Sequence, residues 1–133
     1  MPKLAEHIVQ GYDEELNELS NTIAQLGGLV ESMVSDAVQA IKKRDTALAQ
    51  NVVDRDKQAN ALQEKVDEDA MRIFALRHPM ATDLRRVIGA VKIATDLERI
   101  GDLAESMARR ALQLNEEEAV KIRKGVNLMG KLV

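Results

Sequence analysis

The sequence predicts an all-α protein: an antiparallel bundle of three long helices over residues 5–114, followed by a partial fourth helix over residues 116–133. Three observations predict it. Apolar and small residues recur at alternating steps of 3 and 4, the period of a helix that buries one stripe. Strand-like alternation appears nowhere over a useful length. The two prolines stand at positions 2 and 79, so nothing breaks a helix between Lys3 and His78 except a turn the chain itself chooses.

The first helix carries the seam Val9, Tyr12, Leu16, Leu19, Ile23, Leu26, Val30, Met33, Ala37, Ala40. Basic Lys42, Lys43 and Arg44 then precede Asp45, the pattern of a cation-rich helix end followed by the N-cap of the next helix. The second helix has the seam Val52, Ala59, Leu62, Val66, Ala70, Ile73, Leu76, with polar faults at Arg55 and Asp69. Pro79 belongs to a tight turn, because proline is tolerated in a first helical turn and not in a helix interior. The third seam is Ala90, Ile93, Leu97, Ile100, Ala104, Met107, Ala111, Leu114. A break is expected near Asn115–Glu116, before a short helix with Ala119, Ile122, Val126, Met129 and Val133. Turns this short force neighbouring helices to run in opposite directions, giving an up-down-up bundle. The pattern Ile23, Leu26, Gly27, Leu29, Val30 recurs as Val126, Met129, Gly130, Leu132, Val133, which suggests the first helix of a second, truncated repeat. Left uncovered, that fourth helix exposes an apolar stripe, so it is expected to pair with another copy or dock on its own bundle.

Composition removes several classes of function. One Phe, one Tyr and no Trp leave the core to Leu, Ile, Val, Met and Ala. A net charge of −3 gives no general electrostatic reason to bind nucleic acid or an anionic membrane. With no Cys, disulfides and thiolate metal sites are excluded. The opening residues do not resemble a secretory signal, and no run of about 18 apolar residues suits a membrane span. The expectation is a soluble, cytoplasmic protein that meets a membrane only peripherally, through partners. His7 and His78 are the only imidazoles, neither follows a glutamate at Glu-x-x-His spacing, and no serine has a matched His and acid. No Gly-rich loop follows a strand. Catalysis is not expected.

Acids form the one unusual pattern. The stretch DLERIGDLAE at 96–105 places Glu98, Asp102 and Glu105 on one strip of the third helix, facing away from its seam. On the second helix Asp56, Asn60, Gln63 and Asp67 line a strip beside the seam. Each helix thus offers oxygen ligands one turn apart, Asp56 with Asn60 and Glu98 with Asp102, and the four could clasp a cation if both strips face one side. A solvated helix face is the alternative. Gly101, inside this stretch, costs about 1 kcal/mol relative to alanine in a helix interior, which points to a close helix contact. Gly27 and Gly28 invite the same reading.

The segments GGLVESMVSDAVQAI, ALRHPMATDLRRVIGAVKIATDLERIGDLAE and LMGKLV, with the RD and LA of KRDTALAQNVVDRD, carry a family resemblance over nearly the whole chain. It resembles the PhoU family of bacterial and archaeal phosphate-signalling proteins. The resemblance implies two similar three-helix bundles and acid-x-x-x-acid motifs holding iron or zinc clusters. In this sequence the motifs fall at Glu98–Asp102 and Asp56–Asn60, where Asn60 replaces the second acid and lowers the ligand charge by one. An all-oxygen set suits magnesium, manganese, calcium or ferric iron, with zinc second. The family's role implies a non-enzymatic adaptor between a phosphate ABC transporter and a sensor histidine kinase, working by contact through Glu98, Arg99 and Asp102, with a homodimer expected. A metal-sensing or metal-storing bundle and a plain oligomerising scaffold are the alternatives.

Overall fold

The computed structural model describes residues 2–132, with side chains over 4–131. Three helices account for the described chain: α1 (Pro2–Lys43), α2 (Thr46–Arg77) and α3 (Ala81–Leu132), with no strand among the described residues. Both turns lie where the sequence places them. Arg44 adopts a left-handed conformation at φ 54° after α1, and the Asp45 amide donates to the Ala40 carbonyl at 3.0 Å, closing the exposed end of the helix. Asp45 then caps α2: its carboxylate accepts from the Leu48 amide at 3.0 Å. His78 ends α2 in a second left-handed conformation, at φ 47°.

Cross-helix pairs fix the directions. Arg77 donates to Glu15 at 2.9 Å and Lys65 to Glu18 at 2.6 Å, which sets α1 and α2 antiparallel. Arg86 reaches Ser20 at 3.0 Å near one end, and Arg44 reaches Glu118 at 2.6 Å near the other, so α1 and α3 run parallel. This is the up-down-up bundle.

The predicted α1 seam is the buried face: Leu16, Leu19, Leu26, Val30, Met33, Ala37 and Ala40 are buried, with Tyr12 and Ile23 packed against them. Val9 is exposed, as is Leu76 at the end of the second seam. On α2 the position between Val52 and Ala59 that completes the heptad is held by buried Asp56, so the polar fault lies there rather than at Arg55.

Two expectations about α3 are corrected. Its core face is built of Val87, Ala90, Ala94, Gly101, Ala104, Ala108 and Ala111, whereas Ile93, Ile100, Met107 and Leu114 from the predicted seam are exposed. The weight that large side chains carry in a periodicity count rotated the predicted face toward them. The expected break at Asn115–Glu116 is also absent, and the fourth helix continues α3 without interruption. The stretch Gln113–Lys124 holds no Gly or Pro, so nothing there stops a helix. What changes is burial: Asn115 donates to Thr46 at 3.3 Å and Glu118 holds Arg44, and from Lys121 to Lys131 every residue is exposed. Val133 and the Leu132 side chain lie outside the described residues.

Candidate metal centre

Rotation of α3 places the acidic strip against α2 instead of away from the bundle. Gly101 makes this approach possible. A Cβ there would lie 3.4 Å from Val30 Cγ2, 3.9 Å from Ala59 Cβ and 4.0 Å from Asp56 Oδ1, so bare backbone faces both neighbouring helices. Gly27 meets Leu97 at 3.9 Å, a looser contact, and Gly28 has open space, so the close packing expected of that pair is absent at Gly28.

Over Gly101, α2 and α3 bring together Asp56, Asp102 and Glu105, each offering a carboxylate oxygen within 4.8 Å of the others. Asp56 is 8% exposed, and its Oδ1 is buried without a hydrogen-bond partner. Its Oδ2 accepts only a long bond from Asn60 Nδ2 at 3.4 Å. A buried carboxylate with an unpartnered oxygen is unfavourable unless it is protonated or meets a cation. Burial and the neighbouring carboxylates of Glu105, Asp102 and Glu98 push its carboxyl up to about 7. Burial and the charge of Asp102 raise Glu98 as well. Glu105 is held low by the adjacent Asp56 carboxyl and by Arg109, whose Nε donates to it.

Of the four sequence-predicted ligands, Asp56 and Asp102 enter the three-acid cluster. Asn60 stands behind Asp56 as a hydrogen-bond donor, and Glu98 adjoins through Asp102. Glu105 is the candidate ligand that the sequence argument leaves out. It lies on the same strip, three residues beyond Asp102, but the pairwise i, i+4 motif stopped at Asp102. Arg99 is exposed and lies 4.0 Å from Asp96. Further along α2, Gln63 donates to Asp67 at 2.9 Å, away from the cluster.

This donor set fits a hard cation. Three carboxylates of like charge converge on an unpartnered buried oxygen, and an ion held by Asp56, Asp102 and Glu105 would supply the missing positive charge. Nothing in the arrangement supplies a nucleophile paired with a base.

Comparison with known proteins agrees with the helical bundle. A family model described as the PhoU domain matches residues 23–111, which contain Asp56, Glu98, Asp102 and Glu105. The phosphate-specific transport system accessory protein PhoU homolog of Caulobacter vibrioides is 43% identical over 131 residues, 98% of this chain and 57% of that protein. The homolog of Pseudomonas putida is 47% identical over 114 residues, 86% of this chain and 44% of that protein. A crystal structure of PhoU from Pseudomonas aeruginosa superposes with a TM-score of 0.77 at 46% identity, covering 80% of this chain and 51% of that one. The chain therefore spans about half the length of these relatives.

Proposed function

Because the chain belongs to the PhoU domain family, we propose that it is an accessory regulator of phosphate transport that works by contact and performs no catalysis. Its partners in this reading are a phosphate ABC transporter and the sensor histidine kinase that governs phosphate-starvation genes, met at the cytoplasmic face. Among the described residues no helix is long and apolar enough to cross a membrane. The relatives named above are accessory proteins of a phosphate-specific transport system. The partner-facing surface in this reading is the outer edge of the acidic strip, with Glu98, Arg99 and Asp102.

The observation that carries the site is the unpartnered Asp56 Oδ1 inside a cluster of three acids. A magnesium, manganese, iron or zinc ion on Asp56, Asp102 and Glu105, with Asn60 and Glu98 flanking, would hold the α2–α3 edge in one charge state. That observation also favours a second reading, a bundle that senses or stores metal.

The decisive experiment places Glu98→Ala with Asp102→Ala in the full-length protein and reads a phosphate-starvation promoter at high phosphate, beside a melting curve. Loss of silencing at unchanged stability supports the regulatory reading, and unchanged silencing defeats it. Calorimetric titration with manganese, iron, zinc and magnesium tests the centre separately. Asp102→Ala should weaken binding, and Asn60→Asp should strengthen it by restoring a carboxylate. Equal affinity in both variants and the parent removes the metal assignment. Cation binding without any effect on the promoter would favour the storage reading.

A further inference from the structure

We propose that Arg109 is a resident competitor at the candidate cation site: it holds Glu105 when no ion is bound, and an incoming divalent ion displaces it. The inference rests on the cation reading given above and names the regulation of that same site. Arg109 Nε donates to Glu105 Oε1 at 2.5 Å across one turn of α3. Among the described residues neither Asp56 nor Asp102 makes an ion pair, so Arg109 is the protein cation that an acid of the cluster holds.

The two members of this pair have different surroundings. The Glu105 side chain is 18% exposed and that of Arg109 64%. Elsewhere on α3, Arg99 and Asp96 make an ordinary surface pair with both members in water. Glu105 instead offers a carboxylate oxygen within 4.8 Å of those of Asp56 and Asp102, while its guanidinium partner stays in solvent. Arg109 neutralises the outer acid alone: the buried Asp56 Oδ1 is left without a partner. Releasing so exposed a guanidinium costs little, since pairs of this kind weigh about fivefold or less in an equilibrium constant. A doubly charged ion among three carboxylates is the stronger claimant, and once bound it repels a guanidinium on the same carboxylate. Arg109 therefore raises the ion concentration at which the site fills without closing it. A guanidinium that stayed on Glu105 as a supporting donor would strengthen binding instead. The sign of its effect on affinity separates the two arrangements.

Displacement carries the state of the site to the surface. With the ion bound, Arg109 is an unpaired cation on α3 beside Arg110, which donates to Gln113. Without it, that charge is held in a neutral pair. The exchange needs no backbone movement, because one exposed side chain changes rotamer. A partner with an acid opposite position 109 then distinguishes the two states by charge.

Calorimetric titration with manganese, in about 0.15 M salt so that distant charges are screened, compares the parent with Arg109→Gln, which removes the charge and keeps a good helix former. The dissociation constant should fall about fivefold. Arg110→Gln removes a neighbouring charge that no acid of the cluster holds, and should shift it by less than about twofold. The direct readout is the Arg109 Nε–H resonance of isotope-labelled protein, identified by its absence from Arg109→Gln. Saturating magnesium, its binding verified by competition against manganese, should move that resonance to where it stands in Glu105→Gln, the position of a solvated guanidinium. Unchanged or weaker affinity in Arg109→Gln overturns the proposal, as does an equal gain in Arg110→Gln or a resonance that magnesium leaves in place. A parent that binds neither manganese nor magnesium fails in a different way: it removes the cation site itself, and the exchange with it.

Discussion

Helices α1 and α3 run parallel through the same core and supply it in opposite ways. α1 buries Leu16, Leu19, Leu26, Val30 and Met33, large side chains on a single apolar stripe. α3 buries Ala90, Ala94, Gly101, Ala104 and Ala108 and turns Ile93, Ile100 and Leu103 outward. A helix with one apolar stripe has one task, to fill the core. A helix that packs through small residues and keeps its large ones outside has a second surface to offer. Its third flank carries the acids, so α3 takes part at once in the core, in the charged cluster and in the outer apolar face.

The largest test of this contrast lies on α1. Leu26 is fully buried, and Leu26→Ala should cost about 3 kcal/mol through lost burial and the cavity left behind. Urea denaturation that finds less than 1 kcal/mol would mean that the α1 side of the core collapses around the loss. On α3 the damaging direction reverses. Gly101→Leu drives a side chain at Val30 and Asp56 and should cost about 1–3 kcal/mol through overpacking. The same variant should also weaken cation binding, because it parts α2 from α3 where the acids meet.

Asp56 gives the next effect, and its sign follows from linkage. Its carboxyl stands at about 7 in the fold against an ordinary 3.8. Between those values the folded chain keeps a proton that the unfolded chain has lost. The stabilisation is therefore complete below about pH 4 and declines as pH rises through 7. Asp56→Asn should remove that slope and leave the cation-free protein at pH 8 more stable by on the order of 1–2 kcal/mol. Denaturation curves at pH 5 and pH 8 decide it, and an unchanged slope in the variant would move the shifted group elsewhere. The smallest effect belongs to the outer stripe: Ile93 is half exposed, and Ile93→Ser should stay within about 0.5 kcal/mol of the parent. A larger loss would show Ile93 to be part of the packed core.

Legibility in the sequence followed the same division. The α1 seam could be read directly because its apolar residues are both large and buried. Asp45 could be read because a short acid after Lys42, Lys43 and Arg44 is a capping signal that local chemistry alone enforces. The face of α3 was misread, since alanine and glycine contribute little to a hydrophobic count while outward-facing isoleucines contribute much. No local signal reveals whether a large residue meets the core or another surface. Asp56 was visible as an acid beside a seam, but its burial was not, because that depends on how closely α3 approaches at Gly101. Glu105 was missed for the same reason: only the tertiary contact selects it from the acids of its strip.

The close seating of α3 on its neighbours also determines what kind of sequence variation the bundle can absorb. At the buried α1 positions a minimum size is enforced, and any sufficiently bulky aliphatic side chain satisfies it. At Ala94, Gly101, Ala104 and Ala108 a maximum size is enforced, and the tolerated alphabet shrinks to two or three residues. A complete substitution scan should thus divide the two parallel helices by the direction of the forbidden change. α1 rejects shrinkage and α3 rejects growth, while the outward face of α3 stays free to vary with whatever it meets.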